Sequence, residues 1–191
     1  MVVRNLVRKF GVEVDPRDAV PRRGFAGAHL STEDPDVDVG SFDFEKQTDA
    51  YIDHALKHKL KLIYVASMNA SERARFKGKA AAHLPPLRIT MKLDLLTQSD
   101  LDELNALTWD QQTLVDYEVL RRCSVFAGFV MSSFDYNIAL TRDQWLEDHG
   151  RVVEPWAVLD TEEVVAFDDG LSRVFVRDTW HEERVPRGMW P

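Results

Sequence analysis

The chain has 191 residues, of which 45% are hydrophobic and 29% charged, so it fits one globular domain and excludes wholesale disorder. Acidic residues outnumber Lys and Arg by 32 to 24, and the net charge of −8 disfavours nucleic acid and anionic membranes as partners. The single cysteine excludes an internal disulfide, and no apolar run has the length of a signal peptide or membrane span. We expect a cytoplasmic protein, unless an N-terminal signal or anchor was removed.

The first predicted elements follow a basic lead-in over residues 1–23. The run from Gly24 to Leu30 is typical of a buried strand, and an acidic loop follows it. Apolar residues at helical spacing predict a helix over 44–59, and residues 60–66 form the next predicted strand. These segments make a strand, helix, strand unit.

The same alternation continues in the middle of the chain. A helix is predicted over 67–82, where Asn69 or Ser71 can cap its start. Pro85-Pro86 ends this unit, because proline cannot continue a helix, and a strand over 87–91 comes next.

Two helices and a short strand follow. The capping pattern beginning at Ser99 predicts a helix start, and 109–122 is a predicted amphipathic helix with Leu114 on its apolar face. The predicted strand over 124–128 leads to Ser132, where the helical pattern resumes.

The C-terminal part, residues 151–191, contains tryptophans and a hairpin signal. Apolar runs at 163–167 and 171–176 flank Asp169-Gly170, a pair typical of a tight turn. Because parallel neighbours need crossover helices, the pattern over 24–150 predicts an α/β, three-layer domain with a mostly parallel sheet. We expect the hairpin to pack on the same domain.

Ligands of such folds bind beyond the carboxyl ends of the strands, and one such place follows the first strand. His29 with Glu33 and Asp34 could supply an acid/base pair for proton transfer, because imidazole titrates near neutrality. The alternative is a hydrogen-bonded histidine beside a solvated acidic loop.

A second place is the turn from the short strand into the helix at Ser132. The free amides and dipole of a helix start, together with the hydroxyls of Ser132 and Ser133, could receive an anion. The alternative is that one serine is only an N-cap.

Other combinations of possible metal ligands or reactive groups are incomplete. Alternating aspartates from Asp34 to Asp38 lack the glycine and distal glutamate of an EF-hand loop. His54 and His58 have no evident third ligand and are surrounded by lysines, which predicts a solvated helix face. Cys123 leads into an apolar strand and is expected to be buried and inert. No metal or cofactor is predicted.

Several short motifs occur in an order that resembles a known family. They are Ala28-His-Leu30, Val115-Asp-Tyr-Glu-Val-Leu120, Cys123-Ser-Val-Phe-Ala-Gly128 and Ser132-Ser-Phe134. Over residues 23–142 the chain is similar to the C-terminal, nucleotide-sugar-binding half of the protein O-fucosyltransferase-like GT-B glycosyltransferases. The resemblance implies a Rossmann-like domain, a possible GDP-fucose donor and no metal. It also implies donor-site roles for Ser132, Ser133 and Phe134, with Asp116 as a further ligand-binding candidate.

The chain departs from this family's pattern at places that matter for the donor. The family has a phosphate-binding arginine directly after His-Leu, where this chain has Ser31, and a neutral hydroxyl cannot replace a bidentate cation. Ser124 and Phe129 replace an acidic residue and an asparagine of the family's pattern. The N-terminal half of a GT-B enzyme is also missing. Ser31 stays a ligand-binding candidate because of its position after His-Leu. Transfer of a nucleotide sugar is disfavoured because the arginine is absent.

Three functions remain open. The chain is a diverged glycosyltransferase-like enzyme that binds a nucleotide sugar, its missing half supplied by a separate subunit. Alternatively, it is a small-molecule enzyme, such as a cyclase or isomerase, that uses the vacated cleft for proton transfer. Third, it is a non-catalytic domain that forms a homo-oligomer through its tryptophan-rich tail and open half-cleft.

Overall fold

The computed structural model describes residues 24–30, 44–67, 69–130, 132–153, 155 and 165–175. The strands are β1 (Ala26–His29), β2 (Leu62–Ala66), β3 (Arg88–Thr90), β4 (Val125–Phe129), β5 (Val165–Asp168) and β6 (Ser172–Phe175). The helices are α1 (Phe44–Lys57), α2 (Ala70–Ala82), α3 (Lys92–Leu95), α4 (Gln98–Asn105), α5 (Trp109–Arg121) and α6 (Ser133–Asp148). Within these ranges no helix is long and apolar enough to cross a membrane.

The strands form one six-stranded sheet in the order β3-β2-β1-β4-β6-β5. Every neighbouring pair is parallel except β5 and β6, which form an antiparallel hairpin at one edge. The chain first adds β2 and β3 on one side of β1 and then places β4 on the other side. This confirms the predicted Rossmann-like α/β fold and the C-terminal hairpin, and it puts the reversal of strand order between β1 and β4.

Helices cover both faces of the sheet because its central strands are apolar on both sides. On one face, Tyr51 and Ile52 of α1 and Phe76 of α2 pack with Ile63 of β2. A second cluster on the other face joins side chains of β2 and β4 to α5 and α6: Tyr64, Phe126, Val119, Leu120, Ile138 and Ala139. Each large apolar side chain buried in this way contributes about 1.5–3 kcal/mol to stability.

Side-chain caps determine where two of the helices begin. The Asn69 carboxamide oxygen accepts from the amides of Ser71, at 2.9 Å, and Glu72, at 3.2 Å, as predicted for α2. The prediction for α4 was wrong by two residues, because Thr97 rather than Ser99 is the cap. The Thr97 hydroxyl accepts from the Asp100 amide, and the Asp100 carboxylate accepts from the Thr97 amide. This reciprocal pair satisfies two amides that the helix itself leaves free.

Two predictions about helix faces were also wrong. Leu114 is 58% exposed, whereas its neighbours Val115 and Val119 are buried. His54 and His58 are buried rather than solvated. Their lysine neighbours are one residue away in sequence, and residues one apart do not share a helix face, whereas the two histidines share the face of Tyr51.

Candidate functional site

The position just beyond the carboxyl ends of β1 and β4, called the cleft below, is where ligands of this fold class bind. These strands are parallel neighbours with Ala26 beside Val125 and Ala28 beside Ala127, so they end at the same edge of the sheet. Their following helices, α1 and α6, diverge where the strand order reverses, and ligands of this fold class bind at such a point. His29 is the last residue of β1.

A histidine and an aspartate from the two strand ends meet in this cleft. The Nδ1 atom of His29 lies 2.7 Å from Oδ1 of Asp135, although the two residues are 106 positions apart in the sequence. The Asp135 side chain is fully buried, and 21% of the His29 side chain is exposed. The imidazole thus has one side fixed by a buried carboxylate and another within reach of a small molecule.

The local backbone places Asp135 so that it can reach His29. Asp135 is in the first turn of α6, and its Oδ2 accepts a hydrogen bond of 2.7 Å from the Phe129 amide. The Ser132 hydroxyl caps the helix by accepting from the Asp135 amide at 3.2 Å. Gly128 makes room for this arrangement, because a Cβ atom there would lie 2.6 Å from the Asp135 Cβ.

Further contacts fix the histidine itself. The Tyr51 hydroxyl donates a 2.7 Å hydrogen bond to the His29 carbonyl oxygen and so holds the end of β1. The Phe134 ring lies beside the imidazole, with 4.8 Å between ring centroids. The Ser132 hydroxyl oxygen is 3.5 Å from Nδ1. Tertiary contacts on several sides therefore restrict the orientation of the His29 ring.

The protonation of His29 reflects two opposing effects. Burial lowers the pKa of His29, but the charge and hydrogen bond of Asp135 raise it, with a smaller contribution from Asp116. The net result is a pKa above its usual 6.5. Asp135 therefore favours the protonated imidazole, and an imidazole is the side chain best suited to exchange a proton in acid/base chemistry.

The hydrogen bond to Asp135 also decides which ring atom can react. An ionised carboxylate only accepts hydrogen bonds, so Nδ1 carries a proton and the lone pair of the neutral ring lies on Nε2. Among the described residues, no atom forms a hydrogen bond with Nε2. Nε2 can therefore take a proton from a bound molecule, and Asp135 stabilises the imidazolium that forms.

The structure brings most of the described candidate residues to this cleft. Ser132 caps α6, Ser133 is exposed as its first residue, and Phe134 is half-buried against His29. Asp116 is different, because both of its oxygens are occupied. It accepts 2.6 Å from the Tyr64 hydroxyl and 2.5 Å from Lys92 Nζ. Its ligand-binding role stays a prediction.

Three candidates, Ser31, Glu33 and Asp34, lie outside the described residues. Asp135, which holds His29, was not among the sequence candidates. Its signal was the spacing Ser132-x-x-Asp135, an acidic residue three positions after a helix cap. That spacing indicates a helix start, but it does not reveal that the carboxylate turns toward a histidine on the neighbouring strand.

The described residues contain no group of three or more His, Cys, Asp or Glu side chains that could hold a metal ion. Cys123 is buried, and burial raises the pKa of its thiol, which disfavours the nucleophilic thiolate. The reactive groups that the structure brings together in the cleft are therefore the His29–Asp135 pair and the adjoining serine hydroxyls.

Comparison of the sequence with protein-family models gave no match, and comparison with curated proteins gave none either. The resemblance to the O-fucosyltransferase-like glycosyltransferases therefore stays a prediction from short motifs.

Proposed function

We propose that the protein is an enzyme of small-molecule chemistry in which His29 transfers a proton in the cleft between β1 and β4. The observation that carries this proposal is the 2.7 Å contact between His29 Nδ1 and the buried Asp135 carboxylate. A histidine oriented in this way and partly open to solvent is suited to general acid/base catalysis. Isomerisation and cyclisation are among the reaction classes that use such a group without a cofactor.

The proposed step begins with a substrate whose acidic C–H or O–H faces Nε2 of His29. Nε2 takes the proton, the substrate keeps the electron pair, and Asp135 stabilises the imidazolium through Nδ1. Return of the proton to a different atom of the substrate completes an isomerisation. General acid/base groups of this kind contribute about 10²–10⁴-fold to a rate.

Exchange of substrate hydrogen with solvent tests this step without knowledge of the product. The protein is incubated in D₂O with hydroxyketones, aldoses and 2-oxo acids, and NMR follows the replacement of C–H by C–D. We expect catalysed exchange that His29→Gln abolishes and that Asp135→Asn slows about 100-fold or more, since the latter loses the charge that stabilises the imidazolium. His149→Gln, which changes an exposed histidine, is the control. Equal exchange by the wild type and His29→Gln would contradict the role of His29.

A second candidate function is nucleotide-sugar binding by a diverged glycosyltransferase-like enzyme. It is supported by Ser132 and Ser133 at the start of α6, inside the same cleft, and by the motif resemblance. The dipole and free amides of a helix start favour anions such as a diphosphate. Ser31, in the place of the family's arginine, weighs against transfer of the sugar.

Calorimetric titration with GDP-fucose tests the second candidate. We expect binding that Ser133→Ala weakens by about tenfold, the effect of one hydrogen bond to a charged group. Ser99→Ala, on the exposed surface of α4, is the matched control. No heat of binding at millimolar GDP-fucose, or the same affinity in Ser133→Ala, would overturn this candidate.

A further inference from the structure

Two histidines are buried near the β5–β6 hairpin: His54 in α1 and His58 in the turn just after this helix. His54 is 3% exposed, and neither of its ring nitrogens has a hydrogen-bond partner among the described residues. Its ring centroid lies 4.9 Å from that of His58 and 6.4 Å from that of Phe175 on β6. A buried imidazole without partners can pack as a neutral ring, but it has nothing to stabilise a positive charge.

The charged groups around the pair are mainly cations. Lys57 lies on the same helix, Arg173 on β6 and Arg142 on α6, and all three act electrostatically on His54. Asp168 on β5 is the acidic group that acts on His58, and its Oδ2 is already 2.6 Å from Nε of Arg173. Among the described residues, cations therefore outnumber anions around the pair, and a proton on either histidine would add a further positive charge.

We propose that His54 and His58 form an acid-sensitive contact, and that their protonation releases the β5–β6 hairpin from α1. In the closed form the two rings are neutral, His54 lies beside Phe175, and His58 lies beside His54. In the open form they are solvated and take up protons. Acid therefore favours the open form, independently of what the cleft binds or catalyses.

Proton linkage explains why acid favours the open form. Burial, followed by the nearby positive charges, lowers the pKa of His54 well below 6.5, and burial also lowers the pKa of His58. The closed form is fully favoured above pH 6.5, and this preference is lost as the pH falls toward the lowered pKa values. For each histidine, the closing equilibrium constant falls up to about tenfold per pH unit within that window.

Other carboxyl groups near Arg142 titrate with the opposite effect. Burial raises the pKa of Asp169 and raises the pKa of Asp143 to about 6. Acid neutralises these groups in the folded protein and so relieves a cost of folding. Their protonation stabilises the fold and cannot produce an acid-induced release.

Release of the hairpin would also loosen the backbone segment that holds Asp135 in the cleft. The Phe175 carbonyl oxygen accepts a 2.9 Å hydrogen bond from the Val130 amide. The preceding amide, of Phe129, is the one that donates to Asp135. The hairpin and the carboxylate that orients His29 are therefore held by adjacent peptide groups of one segment.

Hydrogen exchange of the full chain at pH 7.5 and pH 5.0 tests this proposal, after correction for the intrinsic exchange rates. The reporters are the amides of Phe126 and Val130, which donate to Leu171 and Phe175 across the β4–β6 edge. We expect their protection factors to fall at least tenfold at pH 5.0. The amides of Leu30 and Arg88, which bond elsewhere in the sheet, should change less than twofold.

Two variants assign the effect to the histidines. His54→Phe keeps a ring beside Phe175 but removes the proton site, and His58→Gln removes the second site. Each should reduce the acid effect, whereas His83→Gln at the end of α2 should leave it intact. If neither variant folds, wild-type NMR titration should show the midpoint of His54 coinciding with the loss of protection.

Three results would overturn the proposal. They are equal loss of protection at all four amides, an unchanged acid effect in both folded variants, and a His54 midpoint that differs from the midpoint of release.

Discussion

The carboxylate that holds His29 is fully shielded from solvent. One oxygen of Asp135 contacts the His29 ring, and the other accepts a hydrogen bond from the Phe129 amide. These contacts matter because a buried charge is costly unless it is paired and hydrogen-bonded. Because the pair raises the pKa of His29 above 6.5, its contribution to stability is fully present below pH 6.5. That contribution is lost as the pH rises through the higher, folded-state pKa.

Removing this charge should reverse the direction of the pKa shift. In Asp135→Asn the burial that lowers the pKa of His29 remains, while the largest effect that raises it is gone. We expect the pKa of His29 to move from above 6.5 to below it, as measured by NMR titration of the imidazole resonances. Asp102→Asn, at an exposed position of α4, should leave the titration unchanged. The same midpoint for His29 in both variants would contradict this prediction.

The sequence was sufficient to name His29 and Ser132 as candidates at two separate places, because each follows an apolar strand, and the structure brings the two together. It was insufficient for Asp135, whose partner depends on the register of β1 against β4 and on the space left by Gly128. Local spacing identifies residues that begin a helix. The direction in which a carboxylate turns is a property of the tertiary structure.

At the scale of elements, two glycines differ in how much space surrounds them. Gly128 of β4 faces the Asp135 side chain, whereas a Cβ atom at Gly78 of α2 would meet no atom within 4 Å. The same substitution should consequently have opposite effects at the two positions.

We expect Gly128→Ala to destabilise the protein by about 1–3 kcal/mol, because the added methyl group displaces α6 from the sheet. Gly78→Ala should stabilise it by about 0.5–1 kcal/mol, because alanine loses less backbone entropy in a helix interior. Urea unfolding monitored by circular dichroism measures both. Destabilisation of similar size in the two variants would show that space at Gly128 is not the cause.

The elements themselves were largely predictable, since apolar runs and proline or glycine stops separate them. Strand β4 and helix α5 lie within about one residue of their predicted bounds. His54 and His58 were predicted wrongly because lysine neighbours suggested a solvated face. Their four-residue spacing, combined with Tyr51 one turn earlier, was the better signal, since it places all three on one face.

At the scale of the whole molecule, Arg142 of α6 joins parts of the chain that are distant in sequence. Its guanidinium donates to the Ser172 hydroxyl at 2.9 Å and to the Cys123 and Ser124 carbonyl oxygens at 2.7 and 3.2 Å. Its neighbour Asp143 has a buried Oδ1 that forms no hydrogen bond within the described part of the chain. Burial, with smaller effects of Asp169 and Glu147, raises the pKa of Asp143 to about 6.

This raised pKa makes Asp143 a cost to stability at neutral pH, since the folded protein holds its proton up to pH 6 and the unfolded chain only up to 3.8. We expect Asp143→Asn to raise the free energy of unfolding by about 1 kcal/mol at pH 7.5, after allowance for solvent screening. The gain should shrink as the pH falls below 6 and vanish below about pH 3.8. Denaturant unfolding at several pH values measures it, with exposed Asp53→Asn as the control. A gain that does not depend on pH would argue against ionisation as its cause.

The separation of 106 positions between His29 and Asp135 also has a kinetic consequence. Helices form from local contacts within microseconds, whereas the β1–β4 pairing must first close a long loop. During refolding, the imidazole–carboxylate contact should therefore form after most of the helical circular dichroism has returned. The His29 resonance would then report completion of the central sheet rather than collapse of the chain.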